Sequence, residues 1–446
     1  MDLFPHAPLS LWNDISGPYT PNPSLQGDLI VDVGVIGGGL AGLATAYELI
    51  KADPTLRIAV LEARTVGYGA SGRNGSFAMT VVGLGFGTTA SLRGKQFLKE
   101  AHTYMEKAVD YLDEFIQGEG LDCDRIRPGF LRVATTQGYI KRLQHDIRLM
   151  KSLGFSGLDW ISAQETRAMV NSERYLGALW EPRLLLINPL KLVREEKRLA
   201  SDLGVHVYED TPVLEIHSGE PFHLKTPAGA VLAEKVVFAT NAYSHLFSQL
   251  LRKQAPAFTY MIATEPLSPE QLDPIGWQGR QGLEDARNLI HYYRLTPDKR
   301  IVLGGGPVGL SFRNSLFHDD SQSAWQHLEA HLHFLFPHLK GIEITHRWGG
   351  PFSVTVNLTP ALGYVGDQRA VYNLGCIGHG VSMSHMNARV MCSLLLDREP
   401  DTLGCPFVNR TVIPWPPEPL RILATGALRG YLALEDRMYE RELPRH

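Results

Sequence analysis

The glycine-rich turn at Gly37, entered by a short apolar strand and left by a helix, limits what this chain can fold into more than any other feature. Asp32 to Ile36 reads as the strand, Gly37-x-Gly39-x-x-Gly42 as the turn, and Leu40, Leu43, Ala44, Tyr47 and Ile50 as the apolar face of the helix. Each glycine has its own reason to be there. Gly37 allows the tight turn, Gly39 lets a pyrophosphate approach the backbone, and Gly42 lets helix and strand close on each other. The unpaired N–H groups around Leu40 and Ala41 then face phosphate. A second strand, Arg57 to Leu61, ends at Glu62 and Ala63, with the carboxylate 25 positions after Gly37. Glu62 suits a free ribose diol and repels a 2′-phosphate. The reading is bound FAD or NAD, with a purely structural βαβ unit as the bland alternative.

Downstream, Arg64 to Ser76 carries Gly67, Gly69, Ala70, Ser71, Gly72, Arg73, Asn74 and Gly75 in an order that resembles the D-amino-acid-oxidase-like superfamily of FAD-dependent amine oxidoreductases. The resemblance implies a loop running along the FAD pyrophosphate toward the ring, with Ser71, Arg73 and Asn74 as donors. It favours FAD, because an NAD-dependent dehydrogenase leaves this segment unexplained. Lys235 to Tyr243 resembles the second signature of these flavoproteins, in which backbone at Thr240 and Asn241 passes close to the nucleotide, and Val213 joins the implied cofactor contacts. A third region, Arg347 to Pro360 followed by Leu374 to His385, repeats the order of strand, glycine turn and helix. In the family Gly378, His379, Gly380 and Val381 lie against the flavin ring. The helix is expected from about Met383 to Leu396, its start stabilising charge on the reduced ring. His379 is a candidate for ring contact and substrate lining; alternatively it only fixes the turn. The resemblance spans roughly residues 28 to 400 and is nearest to γ-glutamylputrescine-oxidoreductase-like proteins, although Ser76 stands where a further glycine is usual.

A chain of 446 residues is too long for one simple core and predicts two domains. The expected fold class is α/β: a Rossmann-like FAD-binding domain from residues 28–93, 187–250 and 345–405, and an α+β substrate domain with a mixed or antiparallel sheet from 94–186 and 251–344. Residues 406–446 form a tail, a packing or dimer element that allows a homo-oligomer. Asn188 is placed as N-cap and Pro189 as first residue of a helix to Leu203. Gly304 to Gly306 reads as a sheet bend because Pro307 and the absence of a following helical pattern oppose a second phosphate loop. His327, His331 and His333 read as solvent-facing, since Trp325, Leu328, Leu332 and Leu335 already form the buried stripe. A net charge of −4 offers no electrostatic reason for nucleic acid or an anionic membrane as partner. The four cysteines lack metal or disulfide spacing, and no apolar run is long enough to span a membrane, so a reduced, cytoplasmic protein is expected.

The implied reaction is amine oxidation: hydride leaves the carbon next to nitrogen for flavin N5, and water hydrolyses the imine. Oxygen or another acceptor takes the electrons. FAD is expected to be noncovalent, because Arg64 to Ser76 holds no histidine and Arg347 to Pro360 no cysteine. Tyr293, Trp348 and Phe352 are candidates for an aromatic wall around a small-molecule amine, and Arg294 for a polar substrate group. The alternatives are an amino-acid oxidase or dehydrogenase of glycine, sarcosine or D-amino-acid type, and a flavin-binding electron-relay subunit. Relatives that bind an α-carboxylate use a lysine where this chain has Ser382; Arg294 is the possible replacement.

Overall fold

Leu29–Ile36 is flanked by strands on both sides and buried over most of its length, which is why it reads as a continuous apolar run and not as an alternating one. In the computed structural model, which describes residues 9–398 and 404–441, this strand is central to an eight-stranded sheet. Gly229–Phe238 and Ile58–Leu61 pair parallel with it on either side. Asp367–Leu374 and His206–Tyr208 continue the parallel order outward, and Ala361–Val365 closes one edge antiparallel. Helices Leu40–Ala52, Pro189–Asp202 and Gly380–Leu395 pack into one apolar core against it. Asn188 caps its helix as expected, its side chain accepting from the Leu190 and Lys191 N–H groups at 3.2 Å each.

The second sheet runs in the order Ile344–Val354, Ala255–Thr264, Ile301–Leu310, His291–Leu295, Gly282–Asp285, Phe130–Val133, Gly177–Glu181 and Asp159–Ser162. All its pairings are antiparallel except Gly282–Asp285 with Phe130–Val133. Gly305 and Gly306, at φ 97° and 72°, bend the strand that contains them. No helix among the described residues is long and apolar enough to cross a membrane.

Three expectations need correction. Residues 345–354, assigned above to the nucleotide part, pair with Ala255–Thr264 in the second sheet, because the hydrogen-bonding partner and not the neighbouring sequence decides sheet membership. The helix that follows the third glycine turn begins at Gly380, three residues before the expected Met383. His331 is not solvent-facing: it is buried and stacked on His291 at 3.9 Å, while the His327 Nε2 lies 2.9 Å from His291 Nε2. Asp285 binds His291 Nδ1 at 2.7 Å and also the Arg287 guanidinium, so a fixed cation already neutralises the carboxylate of this cluster. In the tail, Leu420–Tyr439 packs on the second sheet, with Asp436 accepting from the Asn288 and Leu289 N–H groups at 2.8 and 3.0 Å. Residues 399–403 and 442–446, included above in the FAD domain and the tail, lie outside the described residues.

Candidate active site

The turn at Gly37 is as tight as its sequence requires. Gly37 has φ 108°, and a Cβ on Gly42 would overlap the Gly37 carbonyl. A Cβ on Gly39 would come within 2.7 Å of Ser71 Oγ, which itself accepts the Leu40 N–H at 3.0 Å. Ser71 thus brings its hydroxyl to the start of helix Leu40–Ala52, where donors converge on an anion. Glu62 faces the same turn: Oε2 accepts the Gly38 N–H at 2.7 Å and Oε1 the Arg64 N–H at 3.0 Å. Burial pushes its carboxyl up to about 7 against the opposing pull of those N–H groups. A glycine cradle and a buried carboxylate on adjacent strand ends fit the pyrophosphate and ribose of FAD.

A cavity of about 310 Å³ opens from this cradle between the two sheets. Gly39, Leu40, Ala41, Ala70, Ser71, Arg73, Asn74, Gly75 and Asn241 line its cradle side, with Phe352 and the turn Gly378, His379, Gly380 and Val381 on the other. Gly37, Gly42, Glu62, Ala63, Gly69, Val213 and Thr240 lie outside that lining; Gly37, Gly42 and Glu62 support it through the backbone contacts above, and Thr240 bonds Ser244 at 2.8 Å. Arg73 is not a free donor, since it forms an ion pair with Asp319 at 3.0 Å and donates to the Tyr68 and Gly349 carbonyls. Asn74 donates to the Ala70 and Ser71 carbonyls and accepts the Ser76 N–H at 2.7 Å, which braces the loop. Ser76 has φ 76°, so the glycine it replaces would be at ease there.

The expected substrate wall is redrawn. Tyr293 is fully buried, bonded to the Tyr175 hydroxyl at 2.9 Å and edge-on to Trp277. Arg294 donates to the Ile187 carbonyl at 2.7 Å and lies over Trp12, and Trp348 donates to the Arg73 carbonyl at 2.9 Å. Of the four candidates, only Phe352 lines the cavity. Tyr292 takes the place expected of Tyr293, because successive side chains on a strand point to opposite faces. Its ring is accommodated by Gly304 and Gly75: a Cβ on Gly304 would lie 2.8 Å from it. Those two glycines were the available signal. Ser382 is buried, its hydroxyl accepting the Met79 N–H and donating to the Met79 carbonyl, both at 2.8 Å.

His379 precedes the first turn of helix Gly380–Leu395. Its Nδ1 is 3.1 Å from the Ile377 carbonyl, which can only accept, so Nδ1 carries the proton and Nε2 is the acceptor. Burial pushes the ring down to about 4, which leaves a neutral imidazole at neutral pH. The residue therefore fixes the turn and lines the cavity at once.

Comparison with known proteins identifies the family. Residues 32–394 match the FAD dependent oxidoreductase family, DAO. The gamma-glutamylputrescine oxidoreductase of Escherichia coli strain K12 is 32% identical over 423 residues, 94% of this chain and 96% of the relative. The sarcosine oxidase subunit beta of an Arthrobacter species is 24% identical over 91% of this chain and 94% of its own length. In fold, the crystal structure of glycine oxidase from Geobacillus kaustophilus superposes with a TM-score of 0.72 at 20% identity, covering 86% of this chain and all of that one. Matched over residues 32–394 and 32% identical to a relative along nearly its whole length, the chain belongs to the DAO family of FAD-dependent oxidoreductases.

Proposed function

We propose that this protein oxidises the C–N bond of a primary or secondary amine whose reacting carbon bears no carboxylate. The observation that carries the reading is the character of the main chamber: Tyr292, Phe352 and a neutral His379 surround it, while its arginine, Arg73, is committed to Asp319. An α-carboxylate there would meet no free cation among the described main-chamber residues, and an unpaired buried anion is costly. The relative named for gamma-glutamylputrescine supports an amine. The names sarcosine oxidase and glycine oxidase support the amino-acid alternative, and Arg294 is too deeply packed to serve it. Bound FAD supplies the redox chemistry, uptake of hydride from the carbon next to nitrogen, after which water hydrolyses the substrate imine.

The chain's own residues bind and orient. Ala41 at one helix start, with the Ser71 hydroxyl beside it, and Val381 at another offer their N–H groups to phosphate and to charge developing on the ring. His379 Nε2 accepts a hydrogen bond from the substrate nitrogen and turns it toward the ring. Because burial makes this imidazole a weak base, it does not retain the ammonium proton. The amine therefore enters as free base, and flavin reduction per molar substrate rises about tenfold per pH unit below the substrate's own pKa. We read FAD as noncovalent, the electron acceptor as oxygen or another oxidant, the location as cytoplasmic and the assembly as a homo-oligomer. Cys376, which borders the cavity, has its thiol raised by burial and stays protonated.

Anaerobic stopped-flow reduction of the holoenzyme by alkylamines, glycine, sarcosine and D-alanine tests the reading. Faster limiting reduction per molar substrate by any of the α-amino acids overturns it. Acid precipitation releases yellow colour into the supernatant if FAD is noncovalent.

A further inference from the structure

Beyond the aromatic wall the cavity continues into a side chamber of about 60 Å³, sharing Gly83, Leu84, Glu284, Asn288, Ile290 and His379 with the main one. That space holds on the order of four waters, enough for a carboxylate and its last methylene. Strand register explains the link. Tyr292 pairs with Glu284, and Glu284 pairs with Arg132 on the next strand, so the three side chains form one row on one face of the sheet. Arg132 lies two strand spacings, about 10 Å, from the aromatic wall.

Among the described residues, two guanidinium N–H groups at the chamber are unfilled. Glu284 already accepts from Arg132 at 2.8 Å, and Asp146 accepts the Gly87 N–H at 3.0 Å. Arg287 is held by Asp285 and Glu440. By contrast, Arg132 Nε, on a side chain only 7% exposed, meets no acceptor among the described residues. Neither does Arg142 Nη1, although its other Nη donates to Asn288 Oδ1 at 2.6 Å. A buried guanidinium with idle N–H groups is costly until an acceptor arrives, and a carboxylate matches it best.

We propose that the chamber between Arg132 and Arg142 binds a carboxylate at the far end of the substrate, about eight bonds from the nitrogen whose C–N bond is oxidised. This deepens the amine reading and rests on it: the reacting end sits among Tyr292, Phe352 and His379, while the two arginines read length and charge at the other end. A carboxylate on the reacting carbon is too close to reach them.

The test is anaerobic reduction of the holoenzyme by glycine, 4-aminobutanoate, 6-aminohexanoate and 8-aminooctanoate, each beside its methyl ester. The expected result is an advantage of acid over ester of about tenfold to a hundredfold at the longest chain and none at the shortest. In Arg142→Gln that ratio falls toward one, and Arg142→Lys restores part of it. Acid and ester reducing the flavin equally at every length overturns the proposal, as does an undiminished ratio in Arg142→Gln; if that variant does not fold, the wild-type length series decides. If no amine reduces the flavin, the amine reading falls, and perturbation of the flavin absorption by 8-aminooctanoate then decides: saturation that Arg142→Gln weakens supports the chamber, and no perturbation overturns it.

Discussion

Around Gly37 to Gly42 consecutive residues of one turn form the cradle proposed for the cofactor, whereas Tyr292, Glu284 and Arg132 come together only because three strands pair in one register. The cradle is a local device. It depends on φ angles and missing Cβ atoms that a short stretch of sequence dictates. The far end is assembled across 160 residues, from Arg132 to Tyr292, and its logic exists only once the sheet forms. A cofactor common to a family is therefore met by local backbone, and the distinguishing part of a substrate by long-range pairing.

Neighbouring tyrosines break or sharpen this contrast most strongly. Tyr293→Ala empties a fully buried site and is expected to cost about 3–5 kcal/mol in denaturant unfolding. Tyr292→Ala, beside open space, should cost clearly less and appear mainly in substrate binding. Equal losses would erase the distinction between core and wall. Next comes Gly42→Ala, whose methyl overlaps the Gly37 carbonyl. A loss of about 3 kcal/mol in FAD binding, roughly a hundredfold by titration of the apoprotein, is expected; unchanged affinity would show that the turn has slack.

A smaller effect belongs to Glu62. Glu62→Gln should weaken FAD by about 1.5–3 kcal/mol, the worth of a charge-assisted hydrogen bond. Its raised carboxyl stabilises the apoprotein while neutral, a contribution fully present below the ordinary carboxylate range and lost as pH rises through about 7. FAD needs the ionised form for its ribose hydroxyls, so wild-type affinity should rise from pH 6 to 8 and the dependence flatten in the variant. Smallest is Ser76→Gly, which relieves a φ of 76° and removes a hydroxyl buried without a partner among the described residues. A gain of about 1 kcal/mol is expected, visible as a slightly higher melting temperature.

Legibility in the sequence follows the same division. Gly37, Gly39, Gly42, Glu62 and the Asn188 cap could be read because each satisfies a rule over a few residues. The step from Tyr293 to Tyr292 could not, because alternation reveals two faces without saying which one is covered; that was decided by Trp277 and Tyr175 packing on Tyr293. The burial of His331 is hidden for a related reason, since this helical side chain is covered by His291 from a separate strand. Segment 345–354 joins the second sheet without announcing it, because an extended run carries no label for its partner. Arg132 and Arg142 passed unnoticed among ordinary helical and strand arginines, since an idle N–H is a property of the packed interior.

The N-terminal helix Leu11–Ile15 touches the cofactor loop directly: the Ser10 hydroxyl donates to the Gly72 carbonyl and the Trp12 indole N–H to the Asn74 carbonyl, both at 2.9 Å. Arg294 presses on Trp12 from beneath at 5.7 Å. The seat of this short helix is made from residues far along the chain, so it can settle only once the Gly72–Asn74 loop and the strand that carries Arg294 are in place. Ser10 and Trp12 thus grip the backbone of a loop whose other residues line the cavity, and they stiffen it without lining the cavity themselves.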